Sequence, residues 1–413
     1  MPNLPFTTAL AFFATLFTTS GAENWPGWRG PRGDGSANAP NLPVEWSVES
    51  DVRWKVELPG KGHSSPIIWE DRIFVVTGIE ESSERILQCL DRTSGKEIWR
   101  KTVLKSPFEG IHRLNSRASS TPSTDGELVF VSFLDGENMF IAAYDFEGTQ
   151  IWTKRPGVFS SKHGYCSSPI LWNDKVIING DHDGNAYLVA LDRKTGETIW
   201  KTDRPNKTRS YCTPIIRRIG GRNQMILSGS KSVASFDPDT GRQHWVMDGP
   251  TEQFVASLVY NGKYLFLTCG FPERHMMAIR PDGSGNVTDS AIVWRTTKGA
   301  SYVPSPVAIG DYFLVVADNG VASCFAAESG ERLWQDRLIS TSGLSPKHSA
   351  SMLAANGLAY FLSDSGVMTV VKPGPNLEIV GQSFLGEETY ASPAVYGDHL
   401  FIRGDKHLYC IGK

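Results

Sequence analysis

Cysteine is scarce in this chain: there are six in 413 residues, at positions 89, 166, 212, 269, 324 and 410, and no Cys-x-x-Cys pair among them. So sparse a set excludes a disulfide scaffold and gives no support to a metal knuckle or a dithiol redox centre. An excess of one charge is also missing. Lys and Arg number 41 against 44 Asp and Glu, a net charge of −3 at pH 7, so no strong field is available for a phosphate backbone and a nucleic-acid partner is not expected. Long hydrophobic runs are absent too: the most apolar stretch, residues 10–17, is far shorter than the ~20 residues of a membrane-spanning helix. Small residues suited to signal-peptidase cleavage, Ser20-Gly21-Ala22, follow it, so residues 1–22 read as a secretory signal. The other reading is a disordered mature N-terminus, because Met1 to Pro5 carry no Lys or Arg. No Cys stands near the cleavage point to be acylated, and the expected product is exported, periplasmic or extracellular. Catalytic signatures are lacking as well. There is no Gly-x-Ser-x-Gly elbow, no His-Glu-x-x-His pair and no phosphate-cradling Gly-Lys-Ser/Thr loop, and no catalytic residue or metal ligand is assigned.

What the chain does have is turn-forming residues and tryptophan. Gly (40) and Pro (24) with 12 Trp favour many turns and short strands over long helices. A Ser-rich step, usually ending in Pro, recurs eight times, ending at positions 66, 122, 169, 214, 258, 306, 352 and 393. The spacings of 56, 47, 45, 44, 48, 46 and 41 residues fall in the range of propeller blades. Behind each step lies a short apolar run (73–76, 128–131, 176–179, 225–228, 264–267, 312–315, 358–361, 399–402), then a third run, then a fourth that in most repeats carries a Trp. These are Trp99, Trp152, Trp200, Trp245, Trp294 and Trp334; the seventh repeat (377–382) has none, and the last repeat stops after its third run. The missing strand stands at the other end, as Val52-Arg53-Trp54-Lys55-Val56. The expected fold is therefore all-β: an eight-bladed β-propeller of four-stranded blades, closed by pairing the N-terminal strand with the C-terminal blade, which leaves no open sheet edge at a seam. The expected organisation is a signal at 1–22, an N-terminal extension at 23–51 and the propeller at 52–413, as a monomer.

Segments such as Asp91-Arg-Thr-Ser-Gly95 and Asp192-Arg-Lys-Thr-Gly196 supply a side chain to bond turn amides and a Gly for positive φ. The Trp four residues after such a Gly has a large ring to bury between blades and an N–H that needs a fixed acceptor. Cys89, Cys324 and Cys410 share one place in the repeat, where a small buried residue is wanted; Cys166 and Cys212 match each other elsewhere, and a bridge between them stays open.

The unit Ala190-Leu-Asp192-Arg-Lys-Thr195-Gly196-Glu-Thr-Ile-Trp200 resembles the tryptophan-docking repeat of the pyrroloquinoline-quinone (PQQ) propellers. The resemblance covers residues 54–413 and implies an eight-bladed propeller like those of quinoprotein alcohol dehydrogenases and of the outer-membrane assembly lipoprotein BamB. Trp25-Pro-Gly-Trp28-Arg-Gly-Pro31 and Lys406-His-Leu-Tyr-Cys-Ile-Gly412 further resemble a bacterial group of secreted PQQ-like repeat proteins. That family holds both enzymes and scaffolds. The adjacent cysteines that the dehydrogenases carry beside the quinone have no counterpart here, nor does BamB's lipid-anchoring Cys. No cofactor is assigned; PQQ with calcium belongs to the alternative, enzymatic reading.

In a propeller the start of each first strand opens on the central channel. The residues expected there are His63, Arg117, Tyr165, Tyr211, Phe254, Tyr302, His348 and Tyr390, with His163, Arg209, Lys347 and Glu388 beside them. Aromatic, His and Arg side chains converging there make a pocket for a planar or anionic ligand, or they fill the channel mouth. The long first spacing comes from residues 105–117, an insertion expected to overhang the same face. Asp181-His-Asp183-Gly-Asn185 has alternate carboxylates like a calcium loop, but it falls between the second and third runs and reads as a hairpin turn. Three functions follow: a non-enzymatic module binding a protein partner or a small ligand at the funnel, a quinoprotein-type oxidoreductase, and a polysaccharide-binding module.

Overall fold

The computed structural model describes residues 22–338 and 347–413; the signal-peptide reading falls almost wholly outside them. Eight antiparallel sheets are arranged as a propeller. Blade 1 is built from Ile67–Trp69, Arg72–Ile79, Glu84–Asp91 and Glu97–Lys105, and the same four-strand unit recurs as blades 2 to 7. Blade 8 supplies Ala394–Tyr396, His399–Arg403 and His407–Ile411, and its fourth strand is Val52–Glu57, paired so that Trp54 stands opposite Cys410 and Glu57 opposite His407. The two ends of the chain thus close the ring. The second and third strands are buried almost throughout because they are covered on both faces by neighbouring blades, whereas the fourth strands are largely exposed or half-buried. This is why the second and third runs read as continuous apolar stretches.

The docking tryptophans join one blade to the next. Trp54, Trp99, Trp152, Trp200, Trp294 and Trp334 each donate the indole N–H to a carbonyl in the following blade's outer turn: Arg92, Phe146, Arg193, Pro238, Ala327 and Gly374, at 2.7–3.2 Å. For all of these but Trp334, the ring lies on the turn glycine. At Gly95, where φ is +71°, an added Cβ would stand 2.6 Å from Trp54, so both the backbone and the packing require glycine. Trp245 differs: it is fully buried and donates to Gln224 of its own blade at 2.8 Å, because the blade 5 turn is longer and lays Gly285–Asn286 in parallel against Trp245 and Val246.

Blade 7 has Gly381 where the others have Trp, after the same bulge in the outer strand. The slot is filled from the N-terminal extension. A Cβ on Gly381 would run into the Val44 carbonyl, and Trp46, buried beside it, is held through its backbone N–H by Ser383 Oγ at 2.8 Å. Residues 25–37 cross the face carrying the outer turns. Trp25 pairs with Ile68 of blade 1, Pro26 accepts from Thr124 of blade 2, Asp34 meets Arg217 of blade 4 at 2.9 Å, and Ser36–Ala37 add a parallel strand to blade 7. Arg29 reaches inside the ring and donates to the carbonyls of Pro306 and Met352 at 2.6 and 3.3 Å. Burial lowers its guanidinium to about 10.

Around the axis the Ser-rich steps form a belt. The backbone N–H of each step donates to the next blade's hydroxyl, from Ser65 to Thr121 and on through Ser168, Thr213, Ser257, Ser305 and Ser351 to Ser392, all at 2.9–3.0 Å. The belt is open only between Ser392 and Ser65, whose buried Oγ finds no protein partner. There Arg403 of blade 8 crosses instead, donating to Ser64 Oγ, Ser64 O and Val76 O of blade 1 at 2.8, 3.2 and 2.7 Å.

Candidate functional site

The face opposite residues 25–37 carries the loops that lead into each first strand, and it gathers the residues singled out in the sequence into separate groups. His63, Arg117 and Tyr390 come together in a cleft of about 330 Å³ between blades 8 and 1, roofed by the insertion. His63 stacks on Tyr390, with ring centroids 4.7 Å apart and planes at 29°. Burial, with Arg403 and Lys61 nearby, lowers the His63 imidazole to about 4, so it is neutral at physiological pH. Arg117 pairs with Glu80 at 2.9 Å and lies 5.0 Å from the Phe108 ring centre, while buried Arg85 lies 4.3 Å from the same ring and pairs with Glu109 at 2.6 Å. Two guanidinium groups on one ring hold the insertion against blade 1. This is the insertion's structural logic: Phe108 and Glu109 give it an anchor, and Ile111 with residues 113–117 line the cleft. The signal for Phe108 was the departure from repeat length; Arg85, on the strand Glu84–Asp91, lies outside that insertion.

Tyr165, Tyr211 and Arg209 form a second group. Tyr165 is buried and bonds Ser132 at 3.2 Å; Tyr211 is buried and bonds Ser161 at 3.0 Å; His163 lies edge-on to His112. Arg209 is bound by Asp183 at 2.8 Å. Tyr302 bonds Gln253 at 3.0 Å, and His348 is buried with its backbone N–H on Asp318 at 3.1 Å. Tyr165, Tyr211, Phe254 and His348 are thus buried and line none of the cleft, which lies to one side, over the seam. In the Asp181–Asn185 turn, Asp181 is buried against Arg204 at 2.9 Å, so its carboxylate is already neutralised by arginine, as Asp183's is. Cys166 and Cys212 are free thiols, bonded to the carbonyls of Tyr211 and Ala256, and burial raises Cys166 to about 12 and Cys212 higher still. Cys89, Cys324 and Cys410 lie opposite Trp99, Trp334 and Trp54, where a small residue leaves room for the ring.

No two cysteines are adjacent, and among the described residues no group of three or more His, Cys, Asp or Glu could hold a metal ion. No described helix is long and apolar enough to cross a membrane.

The chain is 23% identical over 296 residues to the outer membrane protein assembly factor BamB of Yersinia pestis, a match covering 68% of this chain and 65% of that protein. It thus spans just under two thirds of that relative's length. BamB from Moraxella catarrhalis superposes with a TM-score of 0.62 at 13% identity, covering 87% of this chain and 96% of that one. A europium-containing methanol dehydrogenase superposes with a TM-score of 0.67 at 11% identity, covering 93% and 90%. At these identities the two structures share the fold alone with this chain. The model of the PQQ_2 family, described as outer membrane protein assembly factor BamB, matches residues 82–336, more than half of the chain, and the chain belongs to that family.

Proposed function

We propose that this chain is an exported, monomeric binding or scaffold module, with residues 1–22 as its export signal, 23–51 as an extension and 52–413 as the propeller. A protein partner docks on the face that carries the insertion. One observation carries the reading. Of the large apolar side chains exposed among the described residues, Leu114, Val158 and Phe271, each more than 40% exposed, stand on loops of that face; the others are on outer strands, and none is on the opposite face. Apolar side chains left on loops of one face favour a docking surface there. A photo-crosslinking residue at position 114 or 271 is expected to capture a discrete partner in the native cell, with Ile199 on an outer strand as the control. Equal capture at all three positions, or none, sinks the assignment.

The alternative is a quinoprotein-type oxidoreductase, which the fold likeness to methanol dehydrogenase keeps in view and the donor set disfavours. Titration with PQQ, with and without calcium, decides it. Saturable binding with a quinone spectrum would put the enzyme first; no binding at about 100 μM, an affinity weaker than about −5.5 kcal/mol, leaves the binding module.

A further inference from the structure

Four arginines are buried among the described residues: Arg29, Arg85, Arg204 and Arg403. A buried charge is costly unless a counter-charge and hydrogen bonds replace the water it loses. Arg85 is paired with Glu109 and Arg204 with Asp181, at 2.6 and 2.9 Å. Arg403 makes three bonds through Nη1 and leaves one buried nitrogen, Nε, unpartnered. Arg29 departs furthest from the rule. It is 2% exposed, and both Nε and Nη1 are buried without a protein partner. All of its hydrogen bonds leave from Nη2, to the carbonyls of Asp34, Pro306 and Met352 at 2.6, 2.6 and 3.3 Å. Three of the five guanidinium N–H bonds therefore have no acceptor, and unpartnered buried donors are rare enough to call for an explanation.

The carboxylates of the segment that carries Arg29 are already committed. Glu23 holds Arg32 at 2.7 Å, and the Asp34 carboxylate accepts from Arg217 at 2.9 Å and from the Ser36 backbone N–H and hydroxyl at 2.9 and 2.6 Å. Of three arginines and two carboxylates, Arg29 is the one left over. At about 10 its guanidinium is still charged at physiological pH, so one positive charge is enclosed with its donors unmet. A water molecule could accept from those donors but would leave the charge uncompensated; an anion does both. The surroundings also set a size. A Cβ on Gly35 would stand 2.7 Å from Arg29 Nη2 and from the Met352 carbonyl, and 3.0 Å from Nε. Gly35 is tied down as well, donating to the Arg29 carbonyl at 3.0 Å and accepting from Ala354 of blade 7 at 2.8 Å. The backbone is thus closed over the guanidinium, and the occupant must be small.

We propose that Arg29 holds a monatomic anion of the chloride class inside the ring, and that this anion helps tie residues 25–37 to blades 6 and 7. The site is on the face opposite the docking loops, so it goes beyond the binding-module reading and is tested without a partner. Hydrogen exchange of the full chain reads it directly, because the amides of Trp25, Gly30, Gly33 and Gly35 are hydrogen-bonded only while the segment is in place. Their exchange is expected to slow saturably as chloride replaces gluconate at constant ionic strength, about tenfold when chloride reaches about ten times its dissociation constant. Arg29→Met should abolish that dependence, and Arg32→Met, on the same segment but paired with Glu23, should keep it. Exchange that ignores chloride, or that keeps its chloride dependence in Arg29→Met, overturns the proposal. Should Arg29→Met release the segment altogether, crystals of the parent chain grown in bromide decide: an anomalous peak in contact with Arg29 Nη1 or Nε supports the site, and no peak there overturns it.

Discussion

At His63 the imidazole is held near 4 by burial and by the neighbouring Arg403 and Lys61, below the ordinary histidine value near 6.5. A depressed histidine binds its proton in the unfolded chain before it does in the folded one. The stability it contributes is thus complete above about pH 6.5 and is lost as pH falls from there toward 4. His163, His275 and His399, also lowered chiefly by burial, act in the same sense. Melting temperature against pH is expected to decline more gently between pH 6.5 and 4 in His63→Gln than in the parent, and superimposable curves would show that His63 is not held neutral. A second residue-scale expectation concerns Trp200, nearly buried, whose indole reaches Pro238 O at 3.2 Å and rests on Gly241. Trp200→Ala should cost about 3–5 kcal/mol by chemical denaturation; an unchanged midpoint would mean that the indoles do not carry the joints between blades.

At the scale of elements, the informative case is blade 7. Its outer strand lacks a Trp because residues 44–46 of the extension occupy that slot. Gly381→Ala would drive a methyl into the Val44 carbonyl, whereas Gly374→Ala in the same blade meets only Asn376 O at 3.9 Å. The first is expected to destabilise by about 1–3 kcal/mol and the second to stay within about 0.5 kcal/mol of the parent. Equal effects in urea melts would show that the extension does not dock there. The extension's docking was partly legible, since Trp25, Trp28 and Trp46 belong to no repeat and one repeat lacks its Trp; the match of surplus to deficit needs the three-dimensional register.

For the whole molecule, closure rests on the pairing of Val52–Glu57 with His407–Ile411 and on Arg403, which spans the gap in the belt of hydroxyls. Arg403→Ala leaves Ser64 Oγ, Ser64 O and Val76 O without this donor and is expected to cost about 3 kcal/mol. Hydrogen exchange should then quicken in residues 52–57 and 67–79 and stay unchanged in blades 3 to 5. Uniform loss of protection would mean that the seam is no weaker than any other joint.

The repeat of Ser-rich step, two apolar runs and Trp strand determined the all-β class, the eight blades and the closing strand, because blade geometry is local: turn glycines, strand periods and one large ring recur at fixed offsets. Only the tertiary structure decided which funnel residues meet. Tyr165, Tyr211 and His348 are buried, while His63, Arg117 and Tyr390, some 330 residues apart at the extremes, share a cleft. It also decided that the extension covers the opposite face, and that the belt of hydroxyls is broken at one joint. These depend on which blade follows which around the ring and on how Arg85, Phe108 and Arg117 pack, contacts between segments distant in the chain that no offset along the sequence encodes.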